Sequence, residues 1–175
     1  MLYVARHGQT VWNAKNKVCG VTDVELTEKG KEQARILAYE VREKEIDLIL
    51  SSPLKRAVET SMIISEICEI PFETDNRLIE QNYGVFEGTD RKNENFLNYK
   101  KCFANRYPGG ESMMQVAHRV YDLINEMKSK YNNKNILIIS HGGVCRIIHT
   151  YFYDMTNDEF FYYTLANAEL KTYKI

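Results

Sequence analysis

Residues 2–8 read LYVARHG and residues 136–143 read ILIISHGG, and these two stretches are the strongest indication of the fold. Each is a short apolar run, typical of a fully buried strand, and each ends at a histidine followed by glycine. In an open parallel sheet, ligands bind at the carboxyl ends of the strands. The two stretches therefore predict one sheet edge that carries Arg6, His7 and His141.

Strand-like and helix-like segments alternate along the rest of the chain. Apolar spacing predicts helices over 28–43 (with Thr27 as N-cap), over 54–68, after a capping box at 112–115, and from about 143 to 153. Short apolar runs predict strands at 2–5, 46–51 and 135–140, a weak strand near 72 and an edge strand at 165–173; residues 9–27 are predicted to form a loop. We therefore expect one α/β domain, residues 1–175, with a doubly wound, mostly parallel sheet, helices on both faces and an antiparallel edge strand.

The composition argues against several classes of function. The formal net charge of −1 gives no general attraction to nucleic acid. The four cysteines lack the C-x-x-C spacing of zinc ribbons and thioredoxin motifs, and none has an arginine six positions further on, as thiol phosphatases require. A P-loop and a D-x-D motif are also missing.

The start of the chain bears on its location. The first strand begins at once, and Arg6 interrupts the apolar run, which argues against a secretory segment. No run reaches the length of a membrane span. We therefore expect a cytoplasmic protein with reduced thiols and no membrane partner.

The polar residues near the predicted sheet edge suit phosphate chemistry. Arginine binds phosphate oxygens in pairs, and neutral histidine can act as a nucleophile that forms a covalent intermediate. Arg56 opens the helix after the second strand, so it can point to the same edge as His7. A leaving alkoxide needs a proton donor. Glu80 is a candidate in a loop, with Glu87 and Glu111 as rivals.

The motifs of the chain form an ordered set. They read RHGQTVWN at 6–13, Gly20 with Asp23, Leu26-Thr27 with Gly30, SPL-x-RA at 52–57 with Thr60, Glu80 with Gly84 and 87–88, PGGES at 108–112, and SHGG at 140–143. Through these motifs the chain resembles the histidine phosphatase superfamily, in its phosphoglycerate mutase-like branch, over nearly its whole length.

The resemblance implies a role for each matched residue. His7 would be the nucleophile and become phosphohistidine, and Glu80 would protonate the leaving group. Arg6, Arg56 and His141 would form the phosphate pocket. Asn13, Gly20 and the backbone N–H groups near Gly142 would contact phosphate or brace the pocket. The resemblance implies no metal and no other cofactor, and a small phosphorylated metabolite as partner.

The resemblance also places a short helical cap over the site at about 89–107, where aromatic residues recur at helical spacing between lysines. This cap would recognise the organic half of the substrate. The alternative is an amphipathic helix that packs on the domain with its charges in water. Mutases of this family usually carry a longer segment here, so we expect a phosphatase that hydrolyses its phosphoenzyme with water. A phosphoglycerate mutase and a non-catalytic phospho-ligand-binding relative are the alternatives.

Several other residues have no predicted role in the site. His118, His149 and Arg146 are predicted to lie in solvent. The aromatic clusters at 151–153 and 160–163 are expected either to enter the core or to form the contact of a homodimer, and the sequence leaves both open.

Overall fold

The computed structural model describes residues 1–175, which form a five-stranded sheet flanked by helices. The strands are β1 (Leu2–Arg6), β2 (Leu48–Ser51), β3 (Phe72–Thr74), β4 (Ile136–Ser140) and β5 (Leu170–Tyr173), in the order β3-β2-β4-β1-β5. β1, β2, β3 and β4 run parallel, and β5 pairs antiparallel with β1. The predicted sheet with its antiparallel edge strand is confirmed.

Helices cover both faces of this sheet. α5 (Met113–Lys130) and α6 (Gly142–Phe152) pack with alternate strand residues such as Val4 and Ile138 in one apolar cluster. α2 (Glu28–Arg42) and α3 (Lys55–Cys68) pack with residues of the opposite parity, such as Ala5 and Ile139, in a second cluster. Successive strand side chains point to opposite faces, so fully apolar strands are buried on both sides.

The predicted helix starts are confirmed by their caps. The Thr27 side chain accepts a hydrogen bond from the Gly30 N–H at the start of α2. Ser112 and Gln115 form a reciprocal capping box at the start of α5. A cap hydroxyl satisfies an N–H group that has no partner within the helix.

Most element boundaries differ from the predicted ones by one or two residues, as at β2, which begins at Leu48 rather than at 46, and two places differ more. The predicted loop at 9–27 contains a one-turn helix, α1 (Val11–Ala14). A capping box between Thr10 and Asn13 caps the N-terminus of this helix. The edge strand begins at Leu170 rather than at 165. The backbone of Ala168 adopts a left-handed conformation with φ of 59°, which an extended strand cannot include.

The segment between β3 and α5 holds one α-helix, α4 (Glu94–Lys100), after two short 3₁₀ turns. Phe96 of α4 packs with Tyr83, Phe86 and Tyr107 in an aromatic cluster apart from the two clusters on the sheet. α7 (Asn157–Tyr162) lies between α6 and β5. None of the helices combines the length and apolarity that crossing a bilayer requires.

Candidate active site

The sheet brings the two predicted histidines together. Arg6 and Ser140 are register partners on the parallel strands β1 and β4, so His7 and His141 leave the same edge side by side. The His7 N–H donates to the Ser140 carbonyl oxygen over 3.0 Å, and the two imidazole centroids are 5.1 Å apart. Both side chains are buried.

Arg56 joins the two histidines. It lies in the first turn of α3, just after β2, and it is fully buried. Its Nε–H lies 3.3 Å from His7 Nε2 and 3.2 Å from His141 Nδ1. Its two terminal nitrogens donate to the carbonyl oxygens of Thr22 (3.0 Å) and Gly20 (2.6 Å). Carbonyl partners hold the guanidinium in place without cancelling its charge.

These contacts define the tautomer of each imidazole. Arginine Nε can only donate, so His7 Nε2 must accept, and the proton lies on Nδ1, which donates to the Gly8 carbonyl oxygen over 2.7 Å. By the same argument His141 Nδ1 accepts, and its Nε2–H donates to Ser52 Oγ over 2.7 Å. The nitrogen that carries the lone pair of His7 is therefore Nε2.

The electrostatic surroundings keep both imidazoles neutral. Burial lowers the pKa of His7 well below its ordinary value of 6.5, and the positive charges of Arg56 and Arg6 lower it further. Burial and the charge of Arg56 act on the pKa of His141 in the same direction. A neutral imidazole has the free electron pair that a nucleophile needs.

Glu80 is the carboxylate that faces this site. It is buried, its Oε1 accepts from the Gln81 N–H over 2.9 Å, and its Oε2 accepts from the Gly143 N–H over 3.0 Å. The two rivals have other partners. Glu87 accepts from the N–H groups of the loop at 20–22, and Glu111 accepts from the Asn82 N–H and pairs with Arg119.

The remaining predicted residues occupy different places. Asn13 and Gly142 line the cavity beside His7. Asn13 Oδ1 accepts from the Thr10 N–H and from Asn167 Nδ2, which leaves the Asn13 amide NH₂ toward the cavity. Gly20 does not line the cavity. Its N–H donates to Glu87 and its carbonyl oxygen accepts from Arg56, so its backbone holds these two side chains in place.

A cavity of about 180 Å³ opens in front of His7 and is lined by Arg6, Asn13, Glu80 and Gly142, among others. Its outer wall contains Arg91 and Lys100 of the predicted cap segment. Arg146, Tyr162 and Tyr163, which had no predicted site role, also line it. No group of three or more His, Cys, Asp or Glu side chains could hold a metal ion.

Two predictions about solvent exposure were wrong. Arg146 is buried, because its guanidinium donates to the Phe160 and Phe161 carbonyl oxygens of α7. His149 is half-buried between aromatic rings, stacked on Tyr163 with centroids 4.6 Å apart. Both contacts join residues on separate elements, so the spacing along α6 alone did not reveal them.

The arrangement defines a class of α/β protein in which a buried arginine bridges two neutral strand-end histidines, and one of these, His7, lines a cationic cavity suited to phosphate esters. His141 and Arg56 lie behind His7 and are not part of the cavity lining. The sequence model of the histidine phosphatase superfamily (branch 1) matches residues 2–175. The chain therefore belongs to this superfamily, as its motifs predicted.

Three relatives illustrate the similarity. Phosphoserine phosphatase 1 of Hydrogenobacter thermophilus is 28% identical over 174 residues, which cover 95% of this chain and 82% of the relative. A protein of Yersinia pestis named probable phosphoglycerate mutase GpmB is 35% identical over 148 residues, 81% of this chain and 69% of the relative. The structure of phosphoserine phosphatase from Entamoeba histolytica in complex with 3-phosphoglyceric acid superposes with a TM-score of 0.83 at 28% identity, covering 97% of this chain and 87% of that one.

Proposed function

We propose that this protein is a phosphomonoesterase that hydrolyses a small organic phosphate through a phosphohistidine intermediate on His7. The observation that carries the proposal is the state of His7: a neutral imidazole whose unprotonated Nε2 lies against the Arg56 guanidinium at a cationic cavity. The phosphatases among the relatives support the same reaction class.

In the first step His7 Nε2 attacks phosphorus, and the bond from phosphorus to the ester oxygen breaks. Arg56 Nε–H, which is shared by two imidazole nitrogens in the free protein, turns to a phosphate oxygen. Arg6, His141 and the first N–H groups of α6 near Gly142 stabilise the remaining oxygens, because they are positioned before charge develops. Asn13 contributes its free amide NH₂.

Glu80 acts on the leaving group. In its protonated form it gives a proton to the ester oxygen as the bond breaks, and it then takes a proton from the water that attacks the phosphohistidine. The second attack breaks the P–N bond, releases inorganic phosphate and restores neutral His7. Glu80 is suited to this exchange because two backbone N–H groups fix its carboxylate in the cavity wall.

Hydrolysis rather than mutase chemistry is the favoured outcome. The segment 89–107 holds one short helix, α4, which we propose to be the cap of a single domain at 1–175. One helix of seven residues is a short lid, so we expect water to reach the phosphoenzyme, whereas a mutase must protect its phosphoenzyme from water. Phosphoglycerate mutase remains the second candidate because a relative bears that name.

The cationic cavity supports a small phosphorylated metabolite as substrate. The cytoplasmic location and the homodimer stay predictions.

A panel of phosphomonoesters, including p-nitrophenyl phosphate, assayed for phosphate release with EDTA present, tests the proposed function. We expect turnover that the chelator does not reduce, because the charges that bind phosphate belong to side chains. Binding of phosphate esters without any release of phosphate would instead favour the non-catalytic relative.

A further inference from the structure

The loop that carries Glu80 has no regular structure of its own. Residues 79–83 follow the 3₁₀ turn at Asn76–Leu78 and belong to no helix or strand, so no ladder of backbone hydrogen bonds fixes them. The side chain of Gln81, next to Glu80, is buried, and its Oε1 has no hydrogen-bond partner in the protein, which costs free energy. Such a loop needs contacts from other parts of the chain to hold the Glu80 carboxylate at the cavity.

Glu111 supplies one part of this support. It belongs to the PGGES motif at 108–112, which the proposed reaction does not use. The Asn82 N–H donates to Glu111 Oε2 over 2.9 Å, and the Glu111 N–H donates to the Asn82 carbonyl oxygen over 2.9 Å. Gln81 Nε2 donates to the Glu111 carbonyl oxygen over 3.1 Å. Glu111 therefore holds the two residues that directly follow Glu80.

Arg119, in the second turn of α5, supplies the other part. Its two terminal nitrogens donate to the carbonyl oxygens of Arg77 and of Glu80, the second over 3.4 Å. Its Nε and Nη2 also donate to the two carboxylate oxygens of Glu111, over 3.4 and 3.3 Å. One half-buried guanidinium thus joins the backbone of Glu80 to the side chain of Glu111. The single ammonium group of a lysine cannot reproduce this planar fork of donors.

Arg119 acts on the site only through this loop. It does not line the cavity, and the Glu80 carboxylate accepts from the N–H groups of Gln81 and Gly143 instead. We propose that Arg119 is a positioning residue for the proton donor: together with Glu111 it fixes the backbone of residues 80–82, which places the Glu80 carboxylate against the leaving oxygen. A misplacement of about 1 Å can slow a reaction by about 100-fold, so such a support affects the rate. The role of Glu80 as proton donor rests on the proposed function.

The leaving-group dependence of turnover tests the positioning role. For Arg119→Lys and Arg119→Gln, kcat is measured on p-nitrophenyl phosphate and on the alkyl phosphate that the wild type hydrolyses fastest. We expect the ratio of alkyl to aryl kcat to fall by about 10- to 100-fold in both variants, because only the alkyl leaving group depends on a well-placed acid. Equal losses on the two substrates would show a merely structural role. A ratio that is unchanged in Arg119→Lys would show that charge, and not the fork, is what matters. Either result would overturn the proposal.

Arg42→Lys is the matched control. Arg42 also donates from a terminal nitrogen to a backbone carbonyl oxygen of another element, that of Ile67 over 2.8 Å, but it joins the ends of α2 and α3 instead of the Glu80 loop. This variant should keep the wild-type ratio of alkyl to aryl kcat. The same fall in this ratio as in Arg119→Lys would overturn the proposal.

Amide hydrogen exchange at Gly143, followed by NMR, tests the position of the carboxylate without turnover. The Gly143 N–H donates to Glu80 Oε2, so its exchange should become about 10-fold faster in Arg119→Lys and stay unchanged in Arg42→Lys. Unchanged exchange in a folded Arg119→Lys variant would overturn the positioning role. If the wild type releases phosphate from no phosphomonoester, the proposed hydrolysis is refuted, while the exchange rate of Gly143 still decides whether Arg119 positions Glu80.

Discussion

The Gly143 N–H donates to Glu80 Oε2 over 3.0 Å, and this hydrogen bond joins the first turn of α6 to the loop that carries the proposed acid. A side chain at residue 143 would displace the Glu80 carboxylate, because an added Cβ would lie 2.5 Å from Glu80 Oε1. The glycine therefore both holds the carboxylate and makes room for it.

Replacing Glu80 with glutamine should slow turnover by an amount that depends on the leaving group of the substrate. Glutamine cannot transfer a proton, so kcat on alkyl phosphates should fall by about 10²–10⁴-fold, the usual contribution of general acid catalysis. The kcat on p-nitrophenyl phosphate should fall far less, because the nitrophenolate leaving group hardly needs a proton. An equal loss on both substrates would assign Glu80 a structural or binding role.

Gly143→Ala should reproduce part of this loss by moving the carboxylate. Alanine is well tolerated near a helix start, so the melting temperature should change little while alkyl phosphate turnover falls. A double-mutant cycle with Glu80→Gln gives the control: if the two substitutions act through one carboxylate, the second adds almost nothing to the first. Additive losses would show that Gly143 acts elsewhere.

Several parts of this site could be predicted from the sequence. His7 and His141 were predictable because parallel strands end at one edge, and Arg56 because it opens the helix after a neighbouring strand. The proximity of Asn167 to His7 could not be predicted, because its amide contacts the His7 carbonyl oxygen across 160 residues of sequence.

The outer wall of the cavity was harder to predict than its base. Arg146 lies on a helix whose spacing fits a solvated charge, and its burial depends on carbonyl groups of α7. Lys100 stands among other lysines, and only the placement of α4 separates it from exposed Lys101. Strand ends and helix caps are determined locally, whereas these contacts depend on how separate elements pack.

The neutral histidines should make the protein sensitive to acid. In the folded protein the pKa values of His7 and His141 lie below 6.5, whereas in the unfolded chain these histidines bind protons near pH 6.5. The two histidines therefore contribute fully to the free energy of unfolding above pH 6.5. This contribution is lost as the pH falls toward the folded pKa values. Each group should lower the free energy of unfolding by up to about 1.4 kcal/mol per pH unit in this range.

Urea unfolding at pH 7.5 and 5.5 in phosphate-free buffer measures this loss. His7→Gln should lose less stability on acidification than the wild type, because one proton-binding site of the unfolded chain is gone. His118→Gln is the matched control at an exposed position and should behave as the wild type. If the His7 substitution leaves the pH dependence of the free energy of unfolding unchanged, this imidazole is charged in the folded protein.

Hydrolase and mutase activities can be separated with one mixture. With 3-phosphoglycerate as substrate and 2,3-bisphosphoglycerate as phosphoryl donor, we expect phosphate release to exceed isomerisation, because α4, with only seven residues, is short for a lid that keeps water from the phosphoenzyme. Isomerisation faster than phosphate release by orders of magnitude would reassign the protein as a mutase.

The phosphohistidine on His7 can be trapped by rapid quench. The wild type is mixed with a labelled phosphomonoester, quenched within a turnover in parallel in alkali and in neutral denaturant, which preserves an acyl phosphate, and mapped by peptide mass spectrometry. We expect phosphate that is stable in base, labile in acid, located on His7 and missing from His7→Ala. Phosphate on Glu80 or Cys145, or undiminished turnover by His7→Ala, would contradict it.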